Sequence, residues 1–287
     1  MTQTTMPNDA LTGKVAIVTG AAGGFGRVLV HALLANGARV AGLDIDDAGL
    51  AAYRDAPGFA DRLLPIRTDI SDYPACEAAI AETTRKLGGL HILINNAAIG
   101  MGAIRADHMV RPVGIREIAP EMWQRFVAVN LTGAWNMTRA AIGHLLGQRW
   151  GRVINVTTSF FTMLRAGFQP YSACKAGLEA LSASHAREFA GTGVTVNVVV
   201  PGGPSDTPMV PVVSGFDRKA LIPAAVMAPP VVWLCSPAAD AVTGNRYVAA
   251  DWDAGLLPAE AERRCRAPIA WPDLAQTPVW PGGRPAE

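Results

Sequence analysis

The run Lys14-Val15-Ala16-Ile17-Val18-Thr19 leads directly into Gly20-Ala21-Ala22-Gly23-Gly24-Phe25-Gly26, and helical spacing follows as far as Asn36, where Gly37 stops it. A short β-branched, apolar run that ends in glycine reads as a buried strand. A glycine just past the last periodic residue is an ordinary helix stop. Glycines between a strand and a helix let the backbone turn sharply and approach a phosphate. The helix start then offers unpaired N–H groups and the positive end of its dipole. A lone glycine motif is weak evidence, and a turn with no ligand is the plain alternative. The flanking strand and helix give this one weight. Its candidate cofactor contacts are Gly20, Gly23, Gly24, Phe25 and Gly26.

The same alternation continues outward. Arg39–Asp44, Leu63–Arg67, Leu90–Asn95, Arg152–Val156, Val194–Val200 and Arg246–Ala249 read as further strands. Between them Tyr73–Leu87, Met122–Leu146, Tyr171–Ala190 and Val226–Cys235 carry helical spacing. Near-continuous apolar strands alternating with helices predict an α/β protein with a parallel sheet covered on both faces. The expected fold is a three-layer αβα, doubly wound Rossmann-type sheet of about seven strands in a single domain. Residues 13–254 would form that domain, behind a tail at 1–12. From Gly255 the chain turns rich in Pro, Trp and Arg, so 255–287 is expected to be an extension lying over the domain or over a neighbouring subunit.

Composition supports this and excludes several classes. Of 287 residues, 50% are hydrophobic and 17% charged, which is enough apolar content for a full core and excludes a disordered chain or a fibre. The apolar surplus also points to surface hidden in an oligomer. Basic residues number 25 and acidic ones 24, with no basic cluster, so nothing argues for nucleic acid or an anionic membrane. The segment Met1 to Leu11 is polar, and prolines break the apolar stretch Ala220–Ala239, so neither a signal segment nor a membrane span is expected. Cys76, Cys174, Cys235 and Cys265 show no CxxC or metal spacing and read as reduced thiols of a cytoplasmic protein. His31, His91, His108, His144 and His185 show no metal spacing either, and no metal is expected.

Asp44 ends the second strand, where a carboxylate would accept hydrogen bonds from adenosine ribose hydroxyls and repel a 2′-phosphate. Ile45, Asp46 and Asp47 follow, with no Arg or Lys to offset it, which favours NAD over NADP. The alternative is a helix cap, a role Asp46 and Asp47 fill equally well. Further along, Tyr171 and Lys175 stand four apart at the start of a helix, so they share one face. A phenol has a free pKa of about 10, and a nearby cation lowers it. That pair suits proton exchange with an alcohol or ketone, although alone it is a weak signal.

Taken together and in order, these motifs resemble the short-chain dehydrogenase/reductase family, over about Gly13 to Asp251. The resemblance places an adenine-side Asp at Asp69, followed by Ile70. It places a turn at Asn95-Asn96-Ala97-Ala98, an active-site Asn at Asn130, and a Pro-Gly turn near the nicotinamide at Pro201-Gly202, with Thr207 beyond. Ile45, Asn96, Ala97 and Ala98 join the cofactor contacts on the same ground, as do Tyr171 and Lys175. In the implied mechanism Tyr171 is the acid/base. Lys175 holds the nicotinamide ribose and keeps Tyr171 acidic, and Asn130 holds a relay water. The implied reaction passes a hydride between NAD(H) and a secondary alcohol or ketone. The family's usual oligomers, built through the long helices, imply a homotetramer.

Three departures stand out. The position thirteen before Tyr171, usually Ser in the family, is Thr158, and Ser159 is the other candidate for that hydroxyl. Ala98 replaces the last glycine of the family's turn. The stretch Gly202-Gly203-Pro204-Ser205-Asp206-Thr207 is one residue longer than is usual in the family, and because Pro204 has no N–H, Ser205 is the substitute contact. Phe160, Phe161, Met163, Leu164, Phe168, Met209 and Val210 read as either an apolar pocket or core. Arg105, His108, Arg111 and Arg116 of the insert Gly100–Pro120 are either mouth residues or solvated loop charges. Trp271 and Trp280 either cover a neighbour's site or simply pack the C-terminal arm. Rival readings are another reaction on the same scaffold (enoyl reduction, epimerisation or dehydration) or a non-catalytic dinucleotide-binding regulator.

Overall fold

The structure is a computed structural model and describes residues 9–54 and 61–275. Its first unit is β1 (Val15–Thr19), α1 (Gly24–Ala35) and β2 (Arg39–Asp44), followed by α2 (Asp47–Arg54), β3 (Leu63–Arg67) and α3 (Tyr73–Leu87). β4 (Ile92–Asn95) leads through the insert to α4 (Pro120–Val127), a π-helical turn at Ala128–Thr132, and α5 (Gly133–Gly147). β5 (Gly151–Val156), α6 (Phe160–Leu164), α7 (Tyr171–Glu188) and β6 (Val194–Val200) come next. The chain closes with α8 (Ala228–Cys235), β7 (Asn245–Val248), α9 (Pro258–Cys265) and β8 (Arg266–Pro268).

The sheet order is β3-β2-β1-β4-β5-β6-β7-β8. Seven strands are parallel, as the alternation predicts. The eighth comes from the extension and pairs antiparallel with β7, matching Arg246 with Ala267. Alternate strand residues feed two cores. Ala16 and Val18 join Leu29, Leu33, Val231 and Leu234 on one face. Val15 and Ile17 join Ile80, Met137 and Ala141 on the other. Burial on both faces is why β1 and β6 read as unbroken apolar runs rather than as alternating ones. The two outermost strands each carry a proline, Pro65 in β3 and Pro268 in β8. Proline cannot donate to a ladder and is therefore confined to sheet edges.

The helix predicted over Met122–Leu146 starts earlier, at Pro120, and is interrupted by the π turn. Pro120 sits in the first turn, where its missing N–H leaves no bond unmade. Such π turns are often found at functional sites, and this one holds Asn130. Four elements fall outside the sequence reading: α2, α6, α9 and β8. All are short, so their periodicity is brief. Among the described residues no helix is long and apolar enough to cross a membrane. The tail before Asp9 and Trp280 lie outside the described residues.

Candidate active site

The chain order reverses between β1 and β4, and a cleft opens at the carboxyl ends of the strands there, the usual ligand position in open α/β sheets. The cavity has a volume of about 870 Å³. Residues that follow β1, β2, β3, β4, β5 and β6 all reach it: Gly20, Ile45, Thr68, Asn96, Thr157 and Pro201, together with Asp44 at the end of β2.

The glycine loop forms one wall. Gly20 has φ +66°, and a side chain there would run into Ala97. Gly26 lies beneath the loop, where an added Cβ would stand 1.9 Å from the Gly20 carbonyl oxygen. The loop is braced from behind: Asn96 Nδ2 donates to the carbonyls of Thr19 and Gly20 at 2.8 and 3.2 Å. The Thr19 hydroxyl accepts from the N–H groups of Asn96 and Ala97, each at 3.0 Å. Asp44 accepts from the Ala22 N–H at 2.9 Å and the Asp46 N–H at 3.0 Å, so its carboxylate is fixed at the cleft edge. Asp69 accepts from the Ser71 N–H and hydroxyl at 2.9 and 2.6 Å.

The opposite wall is β5 with α7. Tyr171 and Lys175 both line the cavity, one turn apart. The Thr158 side chain stands close enough to the Tyr171 hydroxyl to draw its pKa down. Ser159 is occupied elsewhere: its Oγ caps α6, accepting from the Thr162 N–H at 3.1 Å. Of the two candidate hydroxyls, Thr158 is therefore the one beside the phenol. Burial pushes the Tyr171 pKa up to about 12, even though the Thr158 side chain acts to lower it. Lys175 is buried and donates to the Val156 carbonyl at 2.8 Å. Desolvation brings its pKa down to about 8. Asn130 accepts from the Ile99 N–H at 2.8 Å and donates to the Ile99 carbonyl at 2.9 Å, bracing the turn after β4.

Most sequence candidates meet at this cavity. Gly23, Gly24, Phe25, Ile45, Asp69, Ile70 and Ala97 line it, as do Ala98, Thr158, Ser159, Ser205 and Thr207. Gly26, Gly202 and Asn130 do not; they support it from behind. Ser205 is buried and bridges to Ile222, while Thr207 packs against Gly24. Arg218 pins this loop through Asp206 and the carbonyls of Val210 and Thr207.

The apolar set divides. Phe168, Met209 and Val210 line the cavity, joined by Met101 and Met109, which the sequence reading passed over. Met163 is core, and Phe161 and Leu164 are 75% and 86% exposed. Of the insert charges, Arg105 pairs with Asp107 and Glu117, and Arg111 with Glu117, which marks them as loop structure. His108 does line the cavity, with its pKa lowered by burial. Arg125 and Arg165 are the cations of this half of the cleft. No group of three or more His, Cys, Asp or Glu side chains among the described residues is arranged to hold a metal.

The sequence profile of the short chain dehydrogenase family matches residues 14–215. The chain belongs to the short-chain dehydrogenase family. It is 34% identical over 244 residues to the 3-oxoacyl-[acyl-carrier-protein] reductase FabG of Vibrio harveyi, covering 82% of this chain and 95% of that one. It is 31% identical over 248 residues to the 2-(R)-hydroxypropyl-CoM dehydrogenase of Xanthobacter autotrophicus, covering 82% and 96%. Among solved structures, a 3-ketoacyl-(acyl-carrier-protein) reductase from Brucella melitensis complexed with NADH superposes with a TM-score of 0.71 at 29% identity, covering 82% of this chain and 96% of that one. The oxidoreductase family and the Rossmann-type fold follow from these matches together with the sheet order.

One prediction arises directly from the glycine wall of this short-chain dehydrogenase. Gly26→Ala forces the loop off the Gly20 carbonyl, and overpacking of this kind costs roughly 1–3 kcal/mol. A lowered thermal midpoint together with weakened dinucleotide binding is the expected result, read by calorimetry and fluorescence titration. Unchanged values of both would refute the packing argument.

Proposed function

We propose that the protein is an NAD(H)-dependent oxidoreductase that interconverts a secondary alcohol and a ketone, with Tyr171 as its acid/base. The observation that carries this reading is the grouping of Thr158, Tyr171 and buried Lys175, whose Nζ lies 5.9 Å from the centre of the Tyr171 ring, in the wall that faces the glycine loop. The fit to a dinucleotide rests on the loop itself, where added Cβ atoms at Gly20 and Gly26 would fill the space against the backbone. Gly20, Gly23, Gly24 and Phe25 would take the pyrophosphate, Asp44 and Ile45 the ribose, and Asp69 with Ile70 the adenine. Asn96, Ala97, Ala98, Pro201, Gly202, Ser205 and Thr207 would frame the nicotinamide end. When bound, the cofactor supplies or accepts the hydride.

The protein's own work is positioning and proton transfer. Thr158 and Tyr171 hydrogen-bond the substrate oxygen, and Tyr171 gives or takes its proton. Lys175 holds the nearby ribose and stabilises the phenolate by its charge. Asn130 keeps the turn after β4 in place, and in this reading the relay water lies beside it. The substrate half of the cleft is lined mainly by Met101, Met109, Phe168, Met209 and Val210, which suits a ketone with a hydrophobic body, and Arg125, Arg165 and His108 add polar contacts to it. We place the catalytic unit at 13–254, with 255–287 as an extension. We further expect a homotetramer through the long helices, on which Trp123 and Trp135 are 42% and 44% exposed. A cytoplasmic location fits four cysteines that are all free and buried.

The test is to titrate the protein with NADH and NADPH separately and then assay secondary alcohols with the better one. Asp44 should make NADH the tighter ligand, because a 2′-phosphate would face its carboxylate. In Asp44→Ser the preference should narrow about tenfold or more, since like-charge juxtaposition costs several kcal/mol. NADPH binding as tightly as NADH in the wild type would remove Asp44 as the selector. Binding of neither would overturn the reading.

A further inference from the structure

Behind the site lies a buried ion pair that the reaction does not need for substrate or cofactor contact. Glu179 sits two turns beyond Tyr171 on the same face of α7, at i+8, after Lys175 at i+4. Its side chain is fully buried and pairs with Arg246 of β7 at 2.7 Å, which is 5% exposed. Burying a charge pair brings a desolvation cost that a well-packed apolar pair would avoid. Something other than stability must therefore be sought for it.

The Arg246 guanidinium is a fork with two destinations. Nη1 donates to Glu179 Oε2, and Nη2 donates to the Thr158 main-chain carbonyl at 2.7 Å. Thr157 closes the ring by donating its hydroxyl to Glu179 Oε2 at 2.8 Å. The two residues that follow β5, ending at the hydroxyl beside Tyr171, are thus tied to this ion pair. The C-terminal extension completes it. The Ala270 N–H donates to the second Glu179 oxygen, Oε1, at 3.2 Å. Arg246 stacks on the Phe160 ring at 4.1 Å, and Trp271 lies against that ring at 5.7 Å. Ile269 anchors the segment by packing against Val198 and Val200.

We propose that Arg246, held by Glu179, is a positioning residue that sets the main chain of Thr158 and hence the hydroxyl facing Tyr171, and that residues 269–271 of the extension complete this device. The proposal rests on the reading of Thr158 and Tyr171 given above, and it extends the active site to a segment beyond the residues matched by the family profile. Removing one member of a buried pair risks unfolding, so the probe is Arg246→Lys. Lysine keeps the charge opposite Glu179 but, as a point donor, does not span both partners as the fork does. Trp271→Ala is the second, peripheral variant.

Two readouts separate this proposal from the underlying reading. The first is turnover with the preferred cofactor. Arg246→Lys should lower kcat about tenfold to a hundredfold, the scale expected for a misplaced reacting group, and leave NADH affinity unchanged. Trp271→Ala should do the same to a smaller degree. In a Thr158→Ala background Arg246→Lys should have no further effect, because the group it positions is gone. Additive losses would overturn the proposal. The second readout is the Thr158 methyl resonance in threonine-labelled protein without substrate, assigned with Thr158→Ser. It should shift in both variants, and an unmoved resonance overturns the proposal whatever the turnover. A shifted resonance, with Thr158→Ala still turning over normally, would uphold the positioning and overturn the catalytic reading of Thr158.

Discussion

Tyr171→Phe should lower kcat roughly 10³-fold, within the range supplied by a positioned acid or base, and leave NADH affinity unchanged. The ring stays and only the hydroxyl goes. What is lost is the hydroxyl beside Thr158 to which we assign proton exchange with the substrate oxygen. The wild-type phenol lies in a difficult setting, since burial holds its pKa at about 12, above its ordinary value of 10.0. In the proposed reading it is the cation of Lys175, beside the ring, that favours the phenolate at working pH. The measurement is stopped-flow hydride transfer beside fluorescence titration. Turnover at the wild-type rate would remove Tyr171 from the chemistry, and lost NADH binding would show that the ring is structural.

Lys175→Met should abolish turnover while changing the pH dependence of stability. The folded state depresses the Lys175 pKa from 10.5 to about 8, chiefly by desolvation. Between those two values the unfolded chain binds more protons than the folded one, so stability rises with pH. Below the folded value the full penalty applies, and above the unfolded value it vanishes. Methionine removes the penalty altogether, although it also leaves the Val156 carbonyl without its 2.8 Å donor. That second loss does not depend on pH, so a comparison at two pH values isolates the first. Relative to the variant, the wild type without cofactor should gain roughly 2–3 kcal/mol between about pH 7 and about pH 10. Denaturant unfolding at both pH values checks this, and parallel stability curves would contradict the assigned burial of the charge.

Which features were legible follows from their physics. β2, β3, α3 and β6 fall at their predicted bounds because each is a full-length periodic or apolar run closed by a polar residue, a glycine or, for β6, Pro201. The glycine loop, Asp44, Tyr171 and Lys175 were legible because their spacing along one strand or one helix already sets their geometry. The choice between Thr158 and Ser159 was not, because it depends on which hydroxyl the start of α6 takes as its cap. Met101 and Met109 escaped notice because they sit in short irregular turns with no period to read. The Glu179–Arg246 pair was hidden for a different reason: its members are 67 residues apart, and only the β6–β7 pairing and α7 bring them together. Glu179 did carry one signal, since it continues the Tyr171–Lys175 face into the protein, where a carboxylate must find a cation.

The prolines at the two outer strands bear on how copies of this chain can meet. A free strand edge is a template on which a second molecule can lay its own backbone. Here β7 is already occupied by β8, and Pro268 and Pro65 each lack the N–H that such an addition would use. Growth of the sheet is thus disfavoured at both rims. Molecules of this protein are thereby steered away from continuous intermolecular sheets and filaments.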